Sequence, residues 1–307
     1  MTDIIIIGAG TAGMSAAIYA ARAGKKVLVL EGESFGGQIV YAPRVENYPG
    51  IRQISGAEFA SGLTEQVLSL GVEMEMETVL SIRRLEEEAG HPKGFAVRTG
   101  EGEHCCKSLI LAAGVRHRHL GLDREEELLG AGVSYCAVCD GAFYQDQDVA
   151  VAGGGNTALQ DALFLSSYCR SVTVIHRRDT FRGEQRLVEQ LAQKPNVTFC
   201  LDSVVETLEG EDALSALVLR GRDGSSRRLE VTGLFVAVGQ VPCNQPFADV
   251  VALDQNGFIA AGESCVTSAP GVFAAGDCRT KSVRQLSTAA ADGAVAGLAA
   301  CEYCESL

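Results

Sequence analysis

The sequence predicts an α/β chain of two Rossmann-like, three-layer dinucleotide-binding domains, the second inserted into the first. Three observations predict this. A strand, glycine turn, helix and strand open the chain; the same unit returns in the middle; and the C-terminal segment has no domain of its own, so it must return to the first. The expected boundaries are residues 1–115 and 244–307 for the first domain and 116–243 for the second.

Asp3 to Gly8 is an apolar run that suits a buried parallel strand. The turn Gly8-Ala9-Gly10-Thr11-Ala12-Gly13 follows, then an Ala-rich helix from Thr11 to Ala23 and a strand from Lys26 to Glu31. Glycines let the backbone turn tightly and approach a pyrophosphate, which rests on the helix N-terminus. Glu31, 23 positions after Gly8, can accept hydrogen bonds from a ribose 2′-OH. A glycine turn alone could be a non-binding tight turn; the strand, the helix and the terminal acid together count against that.

Alternating strands from about Val72 to Cys106 lead to the apolar strand Ser108 to Gly114. The second copy runs from Asp148 to Gly153, through Gly154 and Gly155, into a helix from Asn156 to Ser167 and a strand from Ser171 to His176. Its turn is Gly153-Gly154-Gly155-Asn156-Thr157-Ala158, with Ala last. At the position equivalent to Glu31 stands His176, followed by Arg177, Arg178 and, one turn on, Arg182. Guanidinium groups match a phosphate by forked hydrogen bonds, whereas an acid would repel it. The second site should therefore prefer NADPH to NADH, although a solvated basic helix start is the bland alternative. FAD and NADPH are the economical pair for one plain-ribose site and one 2′-phosphate site. Strands between Val197 and Val231, the strand Gly233 to Gly239, and the link Gln240 to Pro246 close this domain. A strand within Gly271 to Asp277 and a helix from Arg284 to Tyr303 complete the chain.

Bulk properties agree. The 307 residues are 47% hydrophobic, enough to fill two cores, and carry a net charge of −13, which argues against a nucleic-acid partner. Eleven scattered cysteines, an odd number, suit a reducing compartment better than a disulfide scaffold. The N-terminus lacks the basic start of a signal peptide, and Gly8, Gly10, Gly13 and Ser15 break up the apolar stretch from Ile4 to Ala21. A cytoplasmic protein with no membrane span is expected.

Tyr135-Cys136-Ala137-Val138-Cys139-Asp140 can be a redox disulfide or half of a zinc site. Cys105/Cys106 and Cys301/Cys304 could complete zinc by count, yet vicinal cysteines at the start of a predicted strand point to opposite faces. Position favours redox chemistry, since Cys139 lies 14 residues before Gly153. Opening a disulfide leaves two thiolates, and Asp140 is placed to protonate one as a general acid.

These residues carry a family likeness. Gly8 to Gly13, Gly36-Gly37-Gln38, Val45 to Gly50, Cys136 to Asp140, Gly153 to Ala158, His176 to Arg182, Gly271 to Asp277 and Arg284-Gln285 occur in an order that resembles low-molecular-weight, bacterial-type thioredoxin reductases along essentially the whole chain. The resemblance implies an FAD domain made from both chain ends, an inserted NADPH domain, and a homodimer. It implies that Gly36, Gly37, Gln38, Asn47, Asp277, Arg284 and Gln285 line the flavin, with Gly114 and Gly276 beside them. It also implies that Cys139 faces the flavin while Cys136 attacks the disulfide of thioredoxin or a similar small dithiol protein. The inserted domain would rotate about hinges near Gly114 to His117 and Gln240 to Pro246.

There are departures from the family pattern. Thr11 stands where Pro is usual, Ala113 where Thr is common, and Gln240 where His is frequent. Cys278 reads as a buried small hydrophobe before a redox group, and so do Cys301 and Cys304. Cys169, Cys200, Cys243 and Cys265 have no visible partner. The five histidines show no metal spacing, and His91, His104, His117 and His119 read as surface residues. The competing functions are a dithiol oxidase, a ferredoxin-fed flavin reductase, and a non-catalytic flavin sensor or zinc-bound interaction module.

Overall fold

A computed structural model describes residues 1–42, 44–85 and 94–307. The chain forms two compact units, residues 1–116 with 241–307, and residues 117–240. In chain order the first stretch gives β1 (Thr2–Ile7), α1 (Thr11–Arg22), β2 (Val27–Glu31), α2 (Gly56–Ser69), β3 (Glu73–Met76), β4 (Val79–Leu85), β5 (Gly94–Thr99), β6 (Glu103–Leu111) and β7 (Val115–His117). Next come β8 (Val133–Ser134), α3 (Ala137–Asp140), β9 (Asp148–Ala152), α4 (Asn156–Leu165), β10 (Ser171–Ile175), α5 (Gln185–Ala192) and β11 (Val197–Cys200). The order ends with β12 (Ser203–Glu209), β13 (Ala216–Gly221), β14 (Ser226–Glu230), β15 (Gly233–Val236), β16 (Gln240–Pro242), β17 (Val272–Ala274) and α6 (Leu286–Glu305).

In the first unit the sheet order is β3-β2-β1-β6-β5-β4, with β17 also beside β6. Strands β1, β2, β3, β6 and β17 run parallel, and Ile4 to Ile7 of β1 pair with Val27 to Leu30 on one side and Ser108 to Leu111 on the other. Four β-branched residues in a row suit a central strand covered on both faces, and Ile4, Ile5 and Ile6 are fully buried. α1 begins after the extended Gly10 and ends at Ala23, with Gly24 taking the left-handed conformation that stops it.

Residues 117–240 repeat the plan, with sheet order β11-β10-β9-β15-β8, all pairings parallel, and an antiparallel sheet β12-β13-β14. In both units the order third, second, first and then a later strand leaves the glycine turn after the first strand at the carboxyl edge of the sheet, where ligands bind in this fold. Arg118 N–H donates to Gly239 O at 3.0 Å, so the entry and exit of this unit lie side by side.

The C-terminal helix packs on the N-terminal one. A Cβ on Gly293 would stand 2.2 Å from Ala12 O, and one on Gly297 2.8 Å from Ala16 O, so bare backbone is what lets α6 approach α1 so closely. Ser15 Oγ–H seals the crossing by donating to Ala290 O at 2.7 Å.

Some expectations need correction. The final helix starts at Leu286, because Gln285 caps it in a reciprocal box with Thr288, and this leaves Arg284 and Gln285 in the preceding turn. Cys105 and Cys106 sit inside β6, which starts at Glu103 to pair with β5. His104 and His117 are half-buried where surface positions were expected, while His119 is exposed and His91 lies outside the described residues. No helix among the described residues is long and apolar enough to cross a membrane.

Candidate active site

In the first unit two glycine turns meet. Gly8 has φ +105°, and a Cβ there would lie 2.3 Å from Ala112 O; a Cβ on Gly13 would lie 1.9 Å from Gly8 O. No side chain caps α1, so its first-turn N–H groups remain for a ligand. Gly36 N–H donates to Ala9 O at 2.9 Å, which draws the second turn onto the first. Gly36 (φ +112°) and Gly37 (φ +64°) are both left-handed, and a Cβ on Gly36 would stand 2.5 Å from that of Ala60. The Glu31 carboxylate accepts from Ala9 N–H at 2.7 Å and Glu33 N–H at 2.8 Å. It therefore braces the turn and keeps further lone pairs as acceptors.

The C-terminal segment contributes the opposite wall. Asn47 Nδ2–H donates to Gln285 Oε1 at 3.2 Å, joining two residues 238 positions apart. Asp277 Oδ1 is enclosed with no hydrogen-bond partner among the described residues, and burial pushes its carboxyl up. A buried acceptor left open in this way is a feature that a bound group would complete. Arg284 lies over the Phe258 ring at 4.4 Å and donates to Asp277 O at 3.3 Å. Thr11 and Ala12 are buried under the turn, a Cβ on Gly276 would stand 2.7 Å from that of Ala12, Gly114 has φ +64°, and Gln38 is exposed.

Beneath this wall is a group the sequence did not reveal. Asp292 takes Arg279 Nη2 at 2.7 Å and Nε at 2.9 Å, Lys281 Nζ at 2.8 Å and Gly276 N at 3.0 Å. All three side chains are buried. Burial raises the Asp292 pKa, and the bonds from Arg279 and Lys281 outweigh it, so the carboxyl is held below its ordinary value. Asp292→Ala should cost about 3–5 kcal/mol in denaturant unfolding, because two cations would stay buried without their anion. The depressed pKa gives stability that is present above the unfolded carboxyl pKa of about 4 and lost as pH falls through the folded value. The available signal was an acid, Asp292, within the Ala- and Gly-rich stretch of the last helix.

In the second unit, a Cβ on Gly153 would lie 2.4 Å from Ala237 O, and one on Gly154 would enter the His176 ring, 2.2 Å from its Cε1. The His176 ring stacks on Phe181 at 5.4 Å, and its Nε2 is enclosed without a hydrogen-bond partner among the described residues. Burial, with Arg182, Arg177 and Arg178 nearby, lowers the His176 pKa, so the ring is neutral near pH 7. Arg182 N–H donates to Gly154 O at 2.8 Å, bringing that segment back to the turn. Arg177, Arg178 and Arg182 are exposed and make no ion pair among the described residues. α4 starts at Asn156 after Gly155, which offers no side-chain cap; Thr157 lies in its first turn and Ala158 is buried under it. The Asn156 side chain is tied to Glu184, accepting from its N–H at 2.7 Å.

Cys136 and Cys139 are joined by a disulfide, with Cα atoms 5.3 Å apart, at the two ends of a turn that α3 extends to Asp140. Cys139 and Val138 are exposed and Cys136 is half-buried. Asp140 Oδ2 accepts from Ser134 Oγ–H at 2.6 Å. Burial raises the Asp140 pKa and this bond opposes it. Tyr135 Oη–H donates to the buried Glu125 at 2.6 Å, and Glu125 also accepts from Leu120 and Gly121 N–H. Burial, then Glu125, pushes the Tyr135 pKa up, so the phenol keeps its proton.

The other nine cysteines are free. Cys278 is fully buried with its thiol pushed up to about 12 by burial, and Cys301 is buried on α6. Away from both turns, Glu75, Glu77 and His104 bring ligand atoms within 4.8 Å of one another. His104 Nε2 lies 2.9 Å from Glu77, and the folded chain assembles this trio across 27 residues where no local spacing announced it.

The family of pyridine nucleotide-disulphide oxidoreductases matches residues 2–293. The chain is 39% identical over 307 residues to a thioredoxin reductase of Treponema pallidum, covering 99% of this chain and 98% of that one. A solved thioredoxin reductase of Streptococcus pyogenes superposes with TM-score 0.94 at 38% identity, covering 100% and 99%. A Lactococcus lactis thioredoxin reductase described as in the FR conformation gives 0.67 at 37% identity, covering 100% of both chains.

Proposed function

The chain belongs to the pyridine nucleotide-disulphide oxidoreductase family, and from that premise we propose that Cys136, Cys139 and Asp140 are the working groups of its disulfide chemistry. It is an NADPH-dependent, FAD-containing disulfide reductase, and thioredoxin is its substrate. The glycine cradle of the first unit and Asp277 would hold FAD, which would supply hydride acceptance from a nicotinamide and two-electron delivery to a disulfide. The observation that carries the residue assignment is a disulfide next to an acid on the unit that also presents three exposed arginines after β10.

The chain's own groups divide the work. Gly8, Gly10, Gly13, Gly36 and Gly37 supply a cradle without Cβ atoms, and Asp277 offers its open Oδ1 to the flavin. Glu31, Asn47, Gln285 and Arg284 complete the FAD wall. Gly153, Gly155, Thr157 and the first-turn N–H groups of α4 take the NADPH pyrophosphate. Arg177, Arg178 and Arg182 hold the 2′-phosphate beside the neutral His176. Cys136 attacks the substrate disulfide, Cys139 exchanges electrons with the flavin, and Asp140 protonates the sulfur that leaves as thiolate.

Residues 1–116 with 241–307 are thus the FAD domain and 117–240 the NADPH domain. These boundaries fall one residue after and three before those expected from sequence. Because the NADPH turn and the disulfide share one unit, they must take turns at the flavin, and rotation about residues 114–117 and 240–246 achieves this. Solved reductases of near-equal identity that superpose at 0.94 and 0.67 support such a motion. The protein works as a homodimer, on the strength of family resemblance, and in the cytoplasm, where nine free thiols are compatible with the reducing conditions.

Anaerobic mixing with NADPH tests the scheme. The flavin should bleach, and added thioredoxin disulfide should then be reduced in proportion. Bleaching with no dithiol formed, or electrons drawn only from ferredoxin, would overturn it. A panel of thioredoxin-like proteins from the same organism then identifies the preferred acceptor.

A further inference from the structure

Ser134 has no part in the roles above, yet its hydroxyl joins both halves of the redox turn. It is 2% exposed and ends β8, whose register with β15 (Leu234 to Val133, Phe235 to Ser134) fixes its backbone. Its Oγ–H donates to Asp140 Oδ2 at 2.6 Å, and its Oγ accepts from Cys136 N–H at 3.0 Å. The single hydroxyl proton has one other acceptor in reach, Cys136 O at 3.4 Å.

We propose that Ser134 is a positioning residue for proton delivery: it holds Asp140 against the redox turn and stabilises the carboxylate that forms when Asp140 gives its proton to a thiolate of Cys136 or Cys139. The inference rests on the reductase reading. Two electrons supplied through the established activity break the sulfur–sulfur bond and leave two thiolates. The Asp140 proton passes to one sulfur, leaving a thiol, a thiolate and an ionised Asp140 that solvent later reprotonates. A donor already aimed at the oxygen where charge appears needs no rearrangement as that charge develops.

The surroundings favour this assignment. Asp140 is half-buried, so water alone stabilises its charge poorly, and burial and the Ser134 bond act on it in opposite directions. Among the described residues the titratable group coupled to it is Tyr144, whose phenol is itself raised by burial and by Asp140; Asp140 closes the turn that carries both cysteines, its N–H donating to Cys136 O at 3.1 Å. Tyr135 directs its hydroxyl to Glu125 instead.

Ser134→Ala removes the donor with little change in volume. In steady-state thioredoxin reduction by the holoenzyme, it should lower the plateau of kcat roughly tenfold and move the alkaline limb of the pH profile up by about one unit. The signs follow from one cause. A carboxyl without its donor is a weaker acid, so it transfers its proton more slowly but keeps it to higher pH. Ser134→Thr should return both features toward the parent, and single-turnover bleaching of the flavin by NADPH should match the parent in every variant. Should Ser134→Ala fail to fold, Ser134→Gly removes the same donor. A Ser134→Ala limb that overlies the parent's, or a folded Ser134→Thr that behaves like Ala, overturns the proposal. Cys136→Ser run alongside keeps the two failures apart, since turnover surviving in that variant sinks the reductase reading itself.

Discussion

Cys136→Ser should abolish protein-disulfide reduction, lowering turnover by at least about 10³-fold, while NADPH still bleaches the flavin at the parent rate. Serine oxygen cannot share a disulfide with Cys139, so the electron pair has nowhere to be stored between flavin and substrate. The turn at Gly153 and the arginines beyond it belong to other elements of the same unit; the redox turn meets α4 through Ala137, packed with Ala158 and Leu159, and the substitution leaves that contact in place. The defect should therefore appear in one half of the catalytic cycle only. Stopped-flow flavin absorbance reads the first half and thioredoxin-dependent NADPH consumption the second. Slowed bleaching would mean that Cys136 also has a structural duty toward the nucleotide site.

Neutralising Arg177, Arg178 and Arg182 together should raise the Michaelis constant for NADPH by roughly 10²–10³ and leave that for NADH nearly unchanged. Each hydrogen bond between a cation and a phosphate contributes about 1.5–3 kcal/mol, and solvent screening of such exposed side chains trims the sum. At saturating NADPH, kcat should stay close to the parent value, because a 2′-phosphate remote from the nicotinamide contributes equally to ground and transition states. The parent's preference for NADPH should also fade as salt is raised. Equal losses with both nucleotides would show that the three arginines support the fold of the turn and do not recognise the phosphate.

The sequence made the architecture legible for a physical reason. Runs such as Ile4 to Ile7 and glycines at Gly8, Gly36 and Gly153 leave few local conformations open, so local residues decide local structure. The arginines after His176 were equally visible, because in a chain of net charge −13 a basic cluster needs a reason to be there. The start of α6 was hidden by an unusual cap, in which Gln285 does what Ser, Thr, Asp or Asn does in most helices. Asp292 and its two cations were invisible in their roles, since only the folded chain brings Gly276 N–H to that carboxylate. Ser134 and Glu125 escaped notice because their significance lies in single hydrogen bonds across 6 and 10 residues, made by a turn whose shape no periodicity encodes. His104 meets Glu77 by a side-chain contact across 27 residues that only the folded chain makes.

The seam between α1 and α6 has a consequence for biosynthesis. A ribosome delivers residues 117–240 in full before Gly293 and Gly297 exist, so the inserted unit can fold while the first helix still lacks its neighbour. Until the closing helix emerges, one flank of the nucleotide-binding layer stays open to solvent, and contacts spanning some 280 positions make that last docking step slow. Nascent chains are thus most exposed to aggregation late in translation, and a stop codon before residue 286 would leave the opening strand and helix without their cover.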